Sequence, residues 1–191
     1  VGTAYGVFQL NGTRWVKLAV QAGAPRGQVE ALAVSPSGEL WAGLTGGVAV
    51  YDGDSWTTYG PDDGLTVGSV RAILFDAGGN VWVGAAPSLP GKKDGGLFFY
   101  DGGGWTAFAM NRTNTAYSGP AAEPVGDWIN DLALDPAGQL WVGASAYAMA
   151  KPGWVPGGVS VYTGDLTGVS GDVGWTNYTP DNGLISDYVT A

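Results

Sequence analysis

"LWAGLTGGVAVYDGDSWTTYGPDDGL", residues 40–65, packs a Trp-x-Gly, a double glycine, a Tyr-Asp-Gly, a second Trp and an acidic turn into one short stretch. The same punctuation returns twice. "LWAG" at 40–43 is followed by "VWVG" at 81–84 and "LWVG" at 140–143. Each is preceded by an alternating apolar run and a turn: "VEALAVSPSGE", "VRAILFDAGGN" and "INDLALDPAGQ". After a variable gap comes a double glycine and an apolar run ending in Tyr: "GGVAVY", "GGLFFY" and "GGVSVY". A Trp then opens a fourth segment: "SWTTY", "GWTAF" and "GWTNY". The opening stretch is therefore most of one unit of a repeat, and its glycines and tryptophans punctuate that unit.

Each unit reads as four short antiparallel strands, here lettered A to D. Strand A is the alternating run, and a tight turn at Pro36-Ser37-Gly38, Ala77-Gly78-Gly79 or Pro136-Ala137-Gly138 reverses the chain, since Gly accepts positive φ. Strand B carries Trp41, Trp82 or Trp141. Strand C ends in Tyr51, Tyr100 or Tyr162, and strand D carries Trp56, Trp105 or Trp175. The strand-B tryptophans are spaced by 41 and then 59 residues. Four strands per unit at such a period predict an all-β fold of β-propeller blades, about four blade equivalents in all. A parallel β-helix has shorter and more uniform coils, and a single immunoglobulin-like sandwich does not repeat its motif this way. The six tryptophans are expected to fill the wedges between blades, where a large flat ring packs well.

Composition narrows the function. Formal charge is −9 with only eight Lys and Arg, so a nucleic acid would be repelled. No run of 18 apolar residues is present to span a membrane. Cys and His are both absent. That removes disulfides, thiolate or imidazole metal sites, the Cys nucleophile and the Ser-His-Asp triad. No cofactor and no metal site is expected, and the chain reads as a non-enzyme. No signal-peptide pattern occurs and the first residue is Val, so part of the native chain is expected to lie outside these residues.

The pattern V-x-A-[IL]-x-x-D-x-x-G-N-[LV]-W-V-G, followed by G-G-[VL]-x-x-Y-D-x-x-x-W-x-x-Y-x-x-x-[DN]-G-L, resembles the two-component regulator propeller repeat. Val70–Gly84 and Gly46–Leu65 match it closely, and Asp181-Asn182-Gly183-Leu184 matches its closing turn. The resemblance covers nearly the whole chain. It implies a propeller of the kind found in periplasmic sensor regions of hybrid histidine kinases and in other secreted or surface proteins.

Aligning the units divides residues 1–191 into a partial blade at 1–28 with strands B to D, and blades at 29–69, 70–127 and 128–187. Residues 188–191 start a further strand A, and the last two full blades carry long loops. Both ends fall within a unit. The expectation is a stretch of a larger array, or a propeller completed between molecules, with other copies or adjoining repeats as partners.

The long insertions are 85–94, 109–127, 144–156 and 163–174. Three of them, the B–C and D–A connections, emerge on one face, and function concentrates where loops grow on a uniform scaffold. Candidate ligand-binding residues there are Lys92, Lys93, Arg112, Tyr117, Trp128, Tyr147 and Trp154. Aromatic rings beside polar donors suit a sugar or another small polar ligand, while anchoring long loops to the scaffold accounts for the same aromatics. "DGDSW" and "PDDG" bring carboxylates together as calcium loops do, but lack the full spacing, and turn-forming Asp explains both. Three sequons occur, at Asn11, Asn111 and Asn177. The leading expectation is a non-catalytic extracellular or periplasmic module that binds a small polar ligand or protein partner on the long-loop face. A structural subunit of a surface filament, adhesin or other assembly is the alternative, and a propeller lyase or hydrolase comes third.

Overall fold

A computed structural model gives the arrangement of the chain and describes residues 1–18, 24–25, 27–108, 110, 119–121, 123–148, 154–164, 166 and 174–190. The alternating runs and their turns become antiparallel strands in chain order. The first sheet is β1 (Gly2–Thr3), β2 (Gly6–Asn11) and β3 (Arg14–Lys17). The second is β4 (Val29–Val34), β5 (Leu40–Leu44), β6 (Gly47–Tyr51) and β7 (Trp56–Tyr59). The third is β8 (Ser69–Phe75), β9 (Val81–Ala86), β10 (Gly96–Tyr100) and β11 (Trp105–Ala107).

The fourth sheet departs from the four-stranded expectation. It holds β13 (Ile129–Leu134), β14 (Leu140–Ala144), β17 (Gly158–Tyr162) and β18 (Trp175–Tyr178), and a fifth strand, β12 (Gly119–Ala121), pairs with β18 at its outer edge. Residues 119–121 belong to the insertion read as a loop. An exposed edge strand presents unpaired backbone groups, and a short segment laid along it satisfies them. Within the 144–156 insertion, β15 (Tyr147–Ala148) and β16 (Trp154–Val155) form a small hairpin.

Register is the same from unit to unit. Trp41 lies between Ala33 and Val50, Trp82 between Leu74 and Phe99, and Trp141 between Ala133 and Val161. On strand D, Trp56, Trp105 and Trp175 stand opposite Tyr51, Tyr100 and Tyr162. The A–B turns close alike, with Gly38, Gly79 and Gly138 at φ 94°, 83° and 80°. At two of them an Asp organises the turn. One Asp76 carboxylate oxygen accepts the Gly78 and Asn80 amides, and the other accepts the Trp82 indole N–H at 3.2 Å. Asp135 does the same for Ala137, Gln139 and Trp141. In the second sheet Ser35 holds that place, and the buried Trp41 indole N–H has no acceptor among the described residues.

Three apolar clusters fill the seams between successive sheets. Val7, Val29, Ala42 and Trp56 lie between the first and second. Trp41, Val48, Val70 and Val83 lie between the second and third. Trp82, Leu97, Ile129, Leu140 and Trp175 lie between the third and fourth. Trp141 differs from its counterparts: it is 38% exposed, because no further sheet covers that flank among the described residues.

Candidate functional site

β8 packs against both β4 and β13, so the strands opening each unit lie side by side at the centre of the arrangement. Each contains a register shift at the same place: between Val29 and Ala31, between Val70 and Ala72, and between Ile129 and Asp131. The supernumerary residues are Glu30, Arg71 and Asn130. A bulge leaves its extra residue out of the ladder and re-aims the side chain, so a polar group can sit on a strand whose neighbours are buried. Val29, Val70 and Ile129 are all buried just before it.

The bulges bring these residues into one row across the sheets. The Arg71 guanidinium lies 3.9 Å from the Glu30 carboxylate, with side chains 37% and 19% exposed. On its other side it stands 5.5 Å from the centre of the Trp128 ring. Trp128 in turn meets Tyr147, ring centres 5.4 Å apart. Asn130 donates through Nδ2 to Ser145 Oγ at 2.7 Å and to the Val189 carbonyl at 2.6 Å. A partly exposed ion pair is worth about 0–1 kcal/mol and an exposed cation–π contact about 0.5–1 kcal/mol, so the row adds little to stability. Its chemical content is a guanidinium, a carboxylate and an indole, placed at the end of the inner strands from which the long insertions emerge.

Two of the sequence candidates, Trp128 and Tyr147, belong to this row; Tyr147 is buried and anchors the β15–β16 hairpin. Lys92 and Lys93 are exposed in the 87–95 loop, and Lys93 borders a separate groove of about 500 Å³ with Phe98, Phe108 and Met110. That loop is tied by Ser88, which donates to the Asp94 carboxylate through its amide at 3.0 Å and its hydroxyl at 2.5 Å. Arg112 and Tyr117 lie outside the described residues, as does the Trp154 side chain, though its backbone starts β16. Glu30, Arg71 and Asn130 escaped sequence reading. The signal is nonetheless present: aligned units show Val-Glu-Ala, Val-Arg-Ala and Ile-Asn-Asp, a polar residue at one fixed position inside an apolar run.

Other candidates resolve into structure. Asp52 accepts the amides of Asp54 and Ser55, and Asp63 that of Gly60, so both "DGDSW" and "PDDG" carboxylates close turns. These amide bonds hold the Asp52 carboxyl below its ordinary range, Ser55 contributing most. Of the sequons, Asn11 is exposed at a hairpin, Asn111 lies outside the described residues, and Asn177 is fully buried with Nδ2 on the Glu123 carbonyl.

Sheets that fan out from adjacent inner strands define an all-β, propeller-like fold of about four blades. Solved structures agree. The chain is similar to the extracellular domain of a protein described as a hybrid two-component system from B. thetaiotaomicron (BT3049), with TM-score 0.54 and 15% identity. The match covers 93% of this chain and 23% of that one. It is also similar to PorZ of Porphyromonas gingivalis, an essential surface component of the type-IX secretion system, with TM-score 0.61 and 19% identity over 89% of this chain and 24% of that one. A protein described as a gluconolactonase matches with TM-score 0.52 and 15% identity, over 93% of this chain and 58% of that one. At these identities the likeness concerns the fold alone, and the chain spans about a quarter of the first two proteins. No family model and no curated protein sequence matches the chain.

Proposed function

We propose that this chain is a non-catalytic propeller module of the extracytoplasmic sensor type, related to the two-component regulator propeller repeats, and that it takes a small polar ligand or a partner at its hub. The row Glu30–Arg71–Trp128 carries the reading. Equivalent bulges bring Glu30 and Arg71 together beside Trp128, at the end of the fold where the insertions grow, and indole and guanidinium groups suit a sugar or sugar acid. Extracellular domains among the similar structures support an extracytoplasmic setting.

Titration with galacturonate and with neutral disaccharides, followed by indole N–H resonances and calorimetry, tests it. Binding that shifts the Trp128 signal and is lost in both Arg71→Ala and Trp128→Ala supports the hub. Binding unaffected by either change, or no binding by any member of the panel, overturns it.

A second reading, a subunit of a surface assembly completed by neighbouring repeats or copies, is favoured by one observation. The first sheet and its β1–β2 turn expose Tyr5, Leu10, Trp15 and Val16, an apolar surface that association would cover. Light scattering at rising concentration checks it: growth in mass that Trp15→Ser reverses supports assembly, and a strict monomer excludes association between copies.

A further inference from the structure

The seam between the second and third sheets opens at the end opposite the hub into a cleft of about 470 Å³. Ser35, Glu39, Trp41 and Tyr59 line it from one sheet, Tyr100 and Asp101 from the next, and no Lys or Arg among the described residues reaches it. The equivalent seam between the third and fourth sheets is packed shut: Trp82 and Trp175 are 0% and 1% exposed, and Leu166, from the long 163–174 connection, packs against their cluster. In the open seam the matching connection is only a turn closed by Asp101, which accepts the amides of Gly103 and Gly104. A short turn where its counterpart is long leaves the space.

A second difference gives that space a chemical character. The Asp76 carboxylate, which takes the indole N–H of Trp82, has Ser35 as its counterpart beside Trp41. Ser35 Oγ bonds Ser37 Oγ at 2.8 Å and Glu39 Oε2 at 3.3 Å instead. Trp41 is 5% exposed, forms part of the cleft wall, and keeps a buried N–H with no acceptor among the described residues. A buried donor without a partner is unfavourable, so an acceptor oxygen that reaches it by displacing a neighbouring side chain gains a hydrogen bond that water does not supply. The rest of the wall offers acceptors and aromatic surface. Glu39 and Asp101 are carboxylates, and Trp41 stacks on Tyr59 with ring centres 6.0 Å apart and 11° between planes. The Tyr100 hydroxyl beside it, with burial behind, pushes Tyr59 up to about 12, so it stays a neutral phenol.

We infer that this cleft is a second binding site, separate from the hub, for a neutral polyhydroxylated ligand such as a disaccharide. An anion is repelled by the carboxylates and meets no basic group. An ammonium ion suits the carboxylates but offers nothing to the Trp41 N–H. A sugar hydroxyl satisfies both, accepting from the indole and donating to Glu39 or Asp101, once the Ser35 hydroxyl turns aside from Ser37.

Maltose and cellobiose, with choline and galacturonate as the cationic and anionic comparisons, are titrated into 15N-labelled protein while the indole N–H signals are followed. The expected result is a shift of the Trp41 signal by at least one neutral disaccharide and by neither ion. Ser35→Asp supplies the carboxylate found beside Trp82 and is expected to weaken that binding by about tenfold or more while raising the melting temperature, which separates site blockage from unfolding. Glu39→Gln is expected to weaken binding without that rise. Trp128→Ala is expected to leave it unchanged, so failure of the cleft and failure of the hub are read on different tryptophans. No Trp41 shift with either disaccharide, a shift by choline or galacturonate instead, or full-strength binding in both Ser35→Asp and Glu39→Gln overturns the inference.

Discussion

Gly84 and Ile129 share one volume: a Cβ added to Gly84 would stand 2.5 Å from Ile129 Cγ2. The contact is general. Gly43 receives Val70 at 2.6 Å, Gly2 receives Val29 at 2.7 Å, and Gly143 receives Val189 at 3.0 Å, each measured from a Cβ built on the glycine. The glycine of every Trp-x-Gly, like Gly2 in the first sheet, therefore lets the next inner segment approach, and that approach sets the bulged residues side by side.

Gly84→Ala is expected to lower stability by about 1–3 kcal/mol, because the Ile129 side chain is fully buried and has nowhere to retreat. Gly43→Ala should behave alike, and Gly143→Ala more mildly, since its neighbour stands farther off. Urea midpoints of the three variants against the parent check the order.

Trp82→Ala empties a wholly buried site and is expected to cost about 3–5 kcal/mol. Trp141→Ala, at the same register but 38% exposed, should cost clearly less. Equal losses in denaturant midpoint would show that the flank beside Trp141 is covered in solution.

Asp76→Ala strips the Gly78 and Asn80 amides and the buried Trp82 N–H of their acceptor. A loss of about 1–3 kcal/mol is expected, and Asp76→Asn should recover part of it. Thermal unfolding of the pair measures the difference.

Asp52, Asp101 and Asp135 all have lowered carboxyl pKa values, chiefly through the backbone amides of Ser55, Gly103 and Gln139 respectively. A depressed folded-state value means the unfolded chain binds protons first. Their contribution is complete above the ordinary value of 3.8 and is lost as pH falls below it through the folded values. Melting temperature should thus be insensitive to these groups above about pH 5 and drop below about pH 4. Asn substituted at all three positions should flatten the acid limb, and an unchanged limb would count against the assignment.

The repeat, its strand order and its A–B turns were legible because each rests on local chemistry: alternation for strands, glycine for positive φ, an Asp whose oxygens reach amides two and four residues on. Trp128 and Tyr147 were legible as candidates because aromatics beside a long insertion stand out. Glu30, Arg71 and Asn130 were not, since alternation alone cannot reveal a bulge, and the approach of Arg71 to Glu30 and Trp128 depends on three sheets packing side by side.

By itself, then, the order of residues determined a string of equivalent four-stranded units, since hydrogen-bonded hairpins and their turns form among near neighbours in the chain. Tertiary packing decided the rest: that residues 119–121 add an edge strand to the fourth sheet, that Trp41 and Trp82 are covered while Trp141 is not, and that one seam is filled while another stays open. These outcomes follow from which surfaces meet across distant segments, a matter of volume and unpaired polar groups that no local pattern encodes.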